Sequence, residues 1–157
     1  CTWSFFMSEP DFDIAAAHKY FAASCFNRAW DLIDKTHRTP DEERLMVASC
    51  LASIYHWSER PDCSNQNLSV GYWQASRVYA VVGNAAEALT YASLALKFSQ
   101  GLSPFFRGFA YEALARAEAL TGSDAKVREY IALARELAAR VTEKDDRDSL
   151  LKDLDSI

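Results

Sequence analysis

Alanine dominates this chain: 25 alanines stand against only 12 valines and isoleucines, with 5 glycines and 4 prolines, in 157 residues. Alanine loses no side-chain entropy in a helix, whereas β-branched side chains are stiffer there and favour strands. The balance therefore predicts close-packed helices. Half of the residues are hydrophobic and a quarter are charged, enough for one buried core with a solvated surface. Collagen, a disulfide-stapled miniprotein, a disordered chain and a membrane span are all excluded on these numbers.

Prolines 10, 40, 61 and 104 fall where a helix has to start or stop. Seven helical segments are predicted between such breaks, and no strand pattern survives. The first covers residues 13–35, with Ile14, Phe21, Cys25 and Leu32 near helical spacing. Thr39-Pro40-Asp41-Glu42 supplies a capping hydroxyl, a proline at the first helical position and acids in the first turn, so a second helix should run to about Trp57. Residues 58–67 read as the longest interior loop. Segments 68–82, 85–99, 104–121 and 124–140 follow, bounded by Gly83, Gly101 and Gly122 and capped by Asn84, Ser103 and Ser123. A short tail helix starting at Thr142 carries Leu150, Leu151 and Leu154 on one face.

Formal net charge is −5, concentrated at the two ends. The basic stripe that would neutralise phosphates is not visible, which argues against a nucleic-acid partner. Cys1, Cys25, Cys50 and Cys63 form no CxxC pair. Cys25 and Cys50 lie within apolar helical patterns, and a reducing, cytoplasmic setting is expected. Met7-Ser8-Glu9-Pro10 reads like a natural start, so residues 1–10 are expected to be an N-terminal arm and residues 11–157 a single helical domain.

Two segments repeat when aligned on Gly83 and Gly122. The first supplies Ser76, Tyr79, Gly83, Ala88 and Ala95; the second supplies Ala115, Glu118, Gly122, Val127 and Ala134 at the same offsets. Small residues at these points allow short distances between helix axes. The pattern resembles the tetratricopeptide repeat, with Glu118 and Val127 departing from that family's aromatic and alanine. The glycines are 39 residues apart, not the family's 34, so extra residues lie between units. Residues 13–57 fit a further hairpin by length alone. The resemblance implies an α-solenoid of three antiparallel hairpins in a right-handed stack, closed by the C-terminal helix as a cap.

Chemistry-bearing patterns are sparse. No GxSxG, HExxH, GxGxxG or P-loop occurs, and nothing aligns a nucleophile with a base. No catalytic residue, metal or cofactor is expected. His18 and Cys25 are separated by roughly 10 Å of helix rise, too far for one metal ion. His56, Glu59, Asp62 and Cys63 supply only two nitrogen or sulfur ligands around their loop. The aromatic residues Tyr55, Trp57, Tyr72, Trp73 and Tyr79 bracket the same loop, as core packing or as a ligand-facing wall.

The resemblance implies a concave groove lined by the first helix of each unit, which accepts extended peptides. Trp73 and Arg77 sit one helical turn apart, and Glu112 and Arg116 occupy the matched offsets in the next unit. These four residues are expected to line one continuous face. Arg77 and Arg116 would hold an acidic group of the ligand, because guanidinium matches carboxylate bidentately. An ordinary i, i+4 surface pair between Glu112 and Arg116 is the plainer reading. The family's carboxylate clamp also uses asparagine and lysine, which none of these four positions carries. The expected function is a non-catalytic scaffold that binds a protein or peptide, or a second copy of itself, away from membranes. The alternative is a small-molecule-binding or enzymatic domain with a site walled by Trp57 and Trp73.

Overall fold

A computed structural model of the chain describes residues 11–157; the expected N-terminal arm, with Cys1 and Met7, lies outside them. The described residues form seven α-helices and no strand: α1 (Ile14–Ile33), α2 (Pro40–Ser58), α3 (Asn65–Val81), α4 (Ala85–Phe98), α5 (Pro104–Thr121), α6 (Asp124–Ala138) and α7 (Lys144–Leu154).

Local chemistry sets most of these boundaries. Asp13 accepts from the Ala16 N–H at 3.0 Å and starts α1. Thr39 and Glu42 form a reciprocal capping box ahead of α2. Helix α1 ends where Arg38 donates to the carbonyls of Leu32, Ile33 and Lys35, which the helix leaves unpaired. Helix α3 starts three residues earlier than its apolar periodicity suggests. Ser64 and Asn67 close a second capping box, so polar residues expected in a loop are the first turn of the helix. Gly83 and Gly122 adopt φ of 75° and 76°, a left-handed conformation that costs other residues a steric clash. Ser103 and Ser123 stand at N-cap positions, but neither side chain makes the expected capping bond. Helix α7 begins at Lys144 rather than Thr142, and α6 ends at Ala138 rather than Arg140.

Consecutive helices pack against each other, most extensively α1 with α2, α3 with α4 and α5 with α6; α3 also meets α1 and α5. Such packing is compatible with a helical repeat. Ala22, Ala29, Ala75, Ala88, Ala92, Ala95, Ala115 and Ala134 are fully buried at the contacts. Their small size brings backbones close enough for side chains to bond across. Ser53 donates to the Ala22 carbonyl at 2.8 Å, Ser76 to Ala88 at 2.9 Å and Gln74 to Phe26 at 2.9 Å. An unpaired hydroxyl at these depths would be costly, so the serine bonds help fix which helix faces meet; Gln74 Oε1 is buried without a partner among the described residues.

The repeated positions are used twice, with different chemistry. Tyr79 stacks on Tyr91 with ring centroids 5.4 Å apart. At the matched place in the second segment, buried Glu118 instead accepts from Lys126 at 2.9 Å and Thr121 at 3.0 Å. The tail helix packs on α5 and α6 through Leu150 and Leu154. Gly108 on α5 is what lets it approach: a Cβ built there would lie 2.4 Å from Leu150 Cδ2. Asp145 and Asp146 face solvent, but Asp153 is partly buried.

Candidate functional site

The i, i+4 spacing of Trp73 with Arg77, and of Glu112 with Arg116, places each pair on one face of α3 or α5. In the structure the four side chains meet. Glu112 lies at the centre with no solvent exposure. Its Oε2 accepts from Trp73 Nε1–H at 3.0 Å, and its Oε1 accepts from Arg77 at 3.0 Å and from Arg116 Nε at 2.7 Å. The acidic group held by the two arginines is thus one of the chain's own. Helix α7 supplies a second. Asp153 Oδ2 accepts from Arg77 at 2.8 Å, while Arg116 donates to the Asp153 carbonyl at 3.0 Å and to Ser156 Oγ at 2.8 Å.

Two guanidinium groups therefore face two carboxylates, and the cluster carries no net charge to offer a ligand. An external acid would compete with Glu112 and Asp153 for Arg77. Nothing in the sequence pointed to Asp153, because its place beside Leu154 reads as the charged side of an amphipathic tail. A cleft of about 420 Å³ opens at the cluster, lined by Arg77, Arg116 and Ser156 together with Ile33, Val81, Leu120 and Ile157.

The aromatic residues sort differently from the sequence expectation. Tyr72 and Tyr79 turn toward Tyr91 of α4, and Tyr55 is largely exposed. Trp73 instead joins a ring series across three helices. Its centroid lies 5.3 Å from Trp30 of α1 and 5.0 Å from Phe109 of α5, with Phe105 a further 5.0 Å beyond. Two neighbouring clefts flank this series, each of about 260 Å³. One is walled by Trp73, Phe105, Phe106 and Phe109. The other is walled by Phe26 and Trp57 and edged by the amides of Asn27, Gln66 and Asn67. Val70 lines both, so the clefts meet at its side chain. Trp57 and Trp73 thus wall separate cavities, neither of them sealed. The sequence did carry a signal for this face: Phe26 with Trp30, and Phe105 with Phe109, share the i, i+4 spacing that places residues together.

The candidate metal ligands do not assemble: among the described residues no three of His, Cys, Asp and Glu are grouped to hold an ion. Asp62 is instead gripped by Arg60 at 2.8 and 2.6 Å, whose guanidinium also lies 4.2 Å over the Trp57 ring. Cys50 is buried, and burial pushes its thiol up to about 12. Because the thiolate is the reactive form, iodoacetamide at pH 8 should label Cys25 and leave Cys50 unlabelled until urea unfolds the chain. Mass spectrometry of the alkylated peptides checks this.

Searches against protein-family models, curated proteins and solved structures each find no match to this chain.

Proposed function

We propose that this chain is a non-catalytic interaction module: a tetratricopeptide-like stack of three antiparallel helical hairpins, closed by α7, that binds a peptide segment of a partner protein. The observation that carries the reading is the pair of clefts meeting at Val70, which offers aromatic walls on one side and three uncharged amides on the other. Aromatic walls suit large apolar side chains, and amides such as Asn27 and Asn67 can pair with the N–H and C=O groups of an extended peptide. The occupant is therefore a segment with two bulky apolar residues, one for each cleft.

This reading moves the binding surface away from the position first expected. Arg77, Glu112 and Arg116 serve as a brace between α3, α5 and α7, with the two arginines also edging a separate cleft, and of the four residues only Trp73 lines the clefts that share Val70. The alternative of a small-molecule site walled jointly by Trp57 and Trp73 has less support, since the two rings belong to different clefts and each cleft is below the roughly 300–1,000 Å³ usual for such sites.

Selection of a random peptide library on the immobilised protein tests the proposal. Enriched sequences should carry two large apolar or aromatic residues at a fixed separation, and their retention should persist in 0.5 M salt because no ion pair is involved. Failure to enrich any motif, or enrichment of acidic peptides eluted by salt, would count against it.

A further inference from the structure

Among the described residues, few contacts hold the first two turns of α1. No residue from Ile14 to Phe21 is buried; burial begins at Ala22. One side-chain hydrogen bond ties this stretch to α2 among the described residues: His18 Nδ1 and His56 Nδ1 lie 2.9 Å apart. Phe21 adds a ring contact to His56 at 5.4 Å, and Tyr55 one to His18 at 6.0 Å.

Two imidazole nitrogens at that distance need a proton between them. One ring donates its Nδ1–H and the other accepts on its Nδ1 lone pair, which is satisfied when the pair is neutral or carries a single added proton. With both rings fully protonated, two donors and two positive charges face each other and the bond is lost. Among the described residues, few neighbouring charges offset this. Glu59, just past α2, favours a charged His56. Asp62 is already paired with Arg60, and Lys19 on α1 adds positive charge nearby. The nearest α3 side chains shown against α1, Gln66, Asn67 and Val70, lie beside Ala23, Phe26 and Asn27 and are uncharged.

We propose that His18 and His56 form a one-proton clasp that holds the start of α1 on the end of α2 and releases it when both rings are charged. The sign agrees with the environment of His56, whose pKa is lowered by burial, then by His18, with Glu59 opposing. A histidine depressed in the closed state takes its proton more readily in the open one. Closure is therefore fully favoured above the ordinary histidine value of about 6.5 and weakens as pH falls through it, levelling off below the depressed value. The clasp is independent of the peptide groove, so either idea can fail alone.

Hydrogen exchange of the intact chain, expressed as protection factors to remove the intrinsic pH effect, tests the clasp. Amides of residues 17–24 should lose about tenfold in protection per pH unit below about 6.5, while α3 and α5 hold theirs. The double variant His18→Gln/His56→Gln should abolish the pH dependence. An equal loss in that variant, or in α3 and α5, overturns the proposal. Should the variant not fold, imidazole ¹⁵N shifts of the unmodified protein decide. Two coupled titration steps support the clasp, and two independent titrations near the ordinary value contradict it.

Discussion

Replacing Glu112 with alanine should destabilise the protein by about 3–5 kcal/mol, the loss typical when one partner is removed from a buried ion pair. Its carboxylate is the common acceptor for Trp73, Arg77 and Arg116, and it lies out of contact with water. Without it, two mostly buried guanidinium groups share only Asp153 and Ser156 as partners. Removing the whole network tells a different story. A triple variant, Glu112→Leu with Arg77→Met and Arg116→Met, should recover most of the loss, because well-packed apolar side chains replace buried ion pairs at little cost or with gain. Urea unfolding of the single and triple variants measures both. Equal losses in the two would show that the site is held by shape rather than by charge.

The second large effect lies where α7 docks. Leu150 is fully buried, and truncating it to alanine should cost about 2–5 kcal/mol through lost burial and the cavity left behind. Gly108→Ala alone should cost about 1–3 kcal/mol, because its new Cβ falls 2.4 Å from Leu150 Cδ2 and the leucine has little room to move. Combined, the two changes should not add. In the Leu150→Ala background the Gly108 methyl enters the space the leucine vacated, so Gly108→Ala becomes neutral or stabilising. A double-mutant cycle by urea unfolding reads this coupling directly. Additive losses would mean that α7 does not rest on Gly108.

The contrast between these sites and the groove shows what the sequence could convey. Helix existence was legible because Thr39-Pro40, Gly83 and Gly122 act locally, each through its own backbone preference. The start of α3 was misjudged because Ser64 and Asn67 cap it reciprocally, a pairing that looks like loop composition until the turn closes. Trp73, Arg77, Glu112 and Arg116 were brought together by spacing within single helices. Their role was hidden because burial of Glu112 and the approach of Asp153 depend on contacts between α3, α5 and α7, and such contacts leave no local periodicity. For the same reason His18 and His56, 38 positions apart in the chain, gave no sign of meeting.

The central claim is that ligand contacts are made at the clefts around Val70 and not at the arginines. It is tested most directly by measuring the affinity of one selected peptide for three proteins: the unmodified chain, Val70→Arg and Arg116→Met. Val70 is partly exposed and lines both clefts, so arginine there should block them while the helices remain folded. The account predicts at least a tenfold loss of affinity for Val70→Arg, equivalent to about 1.4 kcal/mol, and a change of less than twofold for Arg116→Met. Unchanged binding to Val70→Arg together with a tenfold loss in Arg116→Met would place the ligand on the arginine cluster and contradict it.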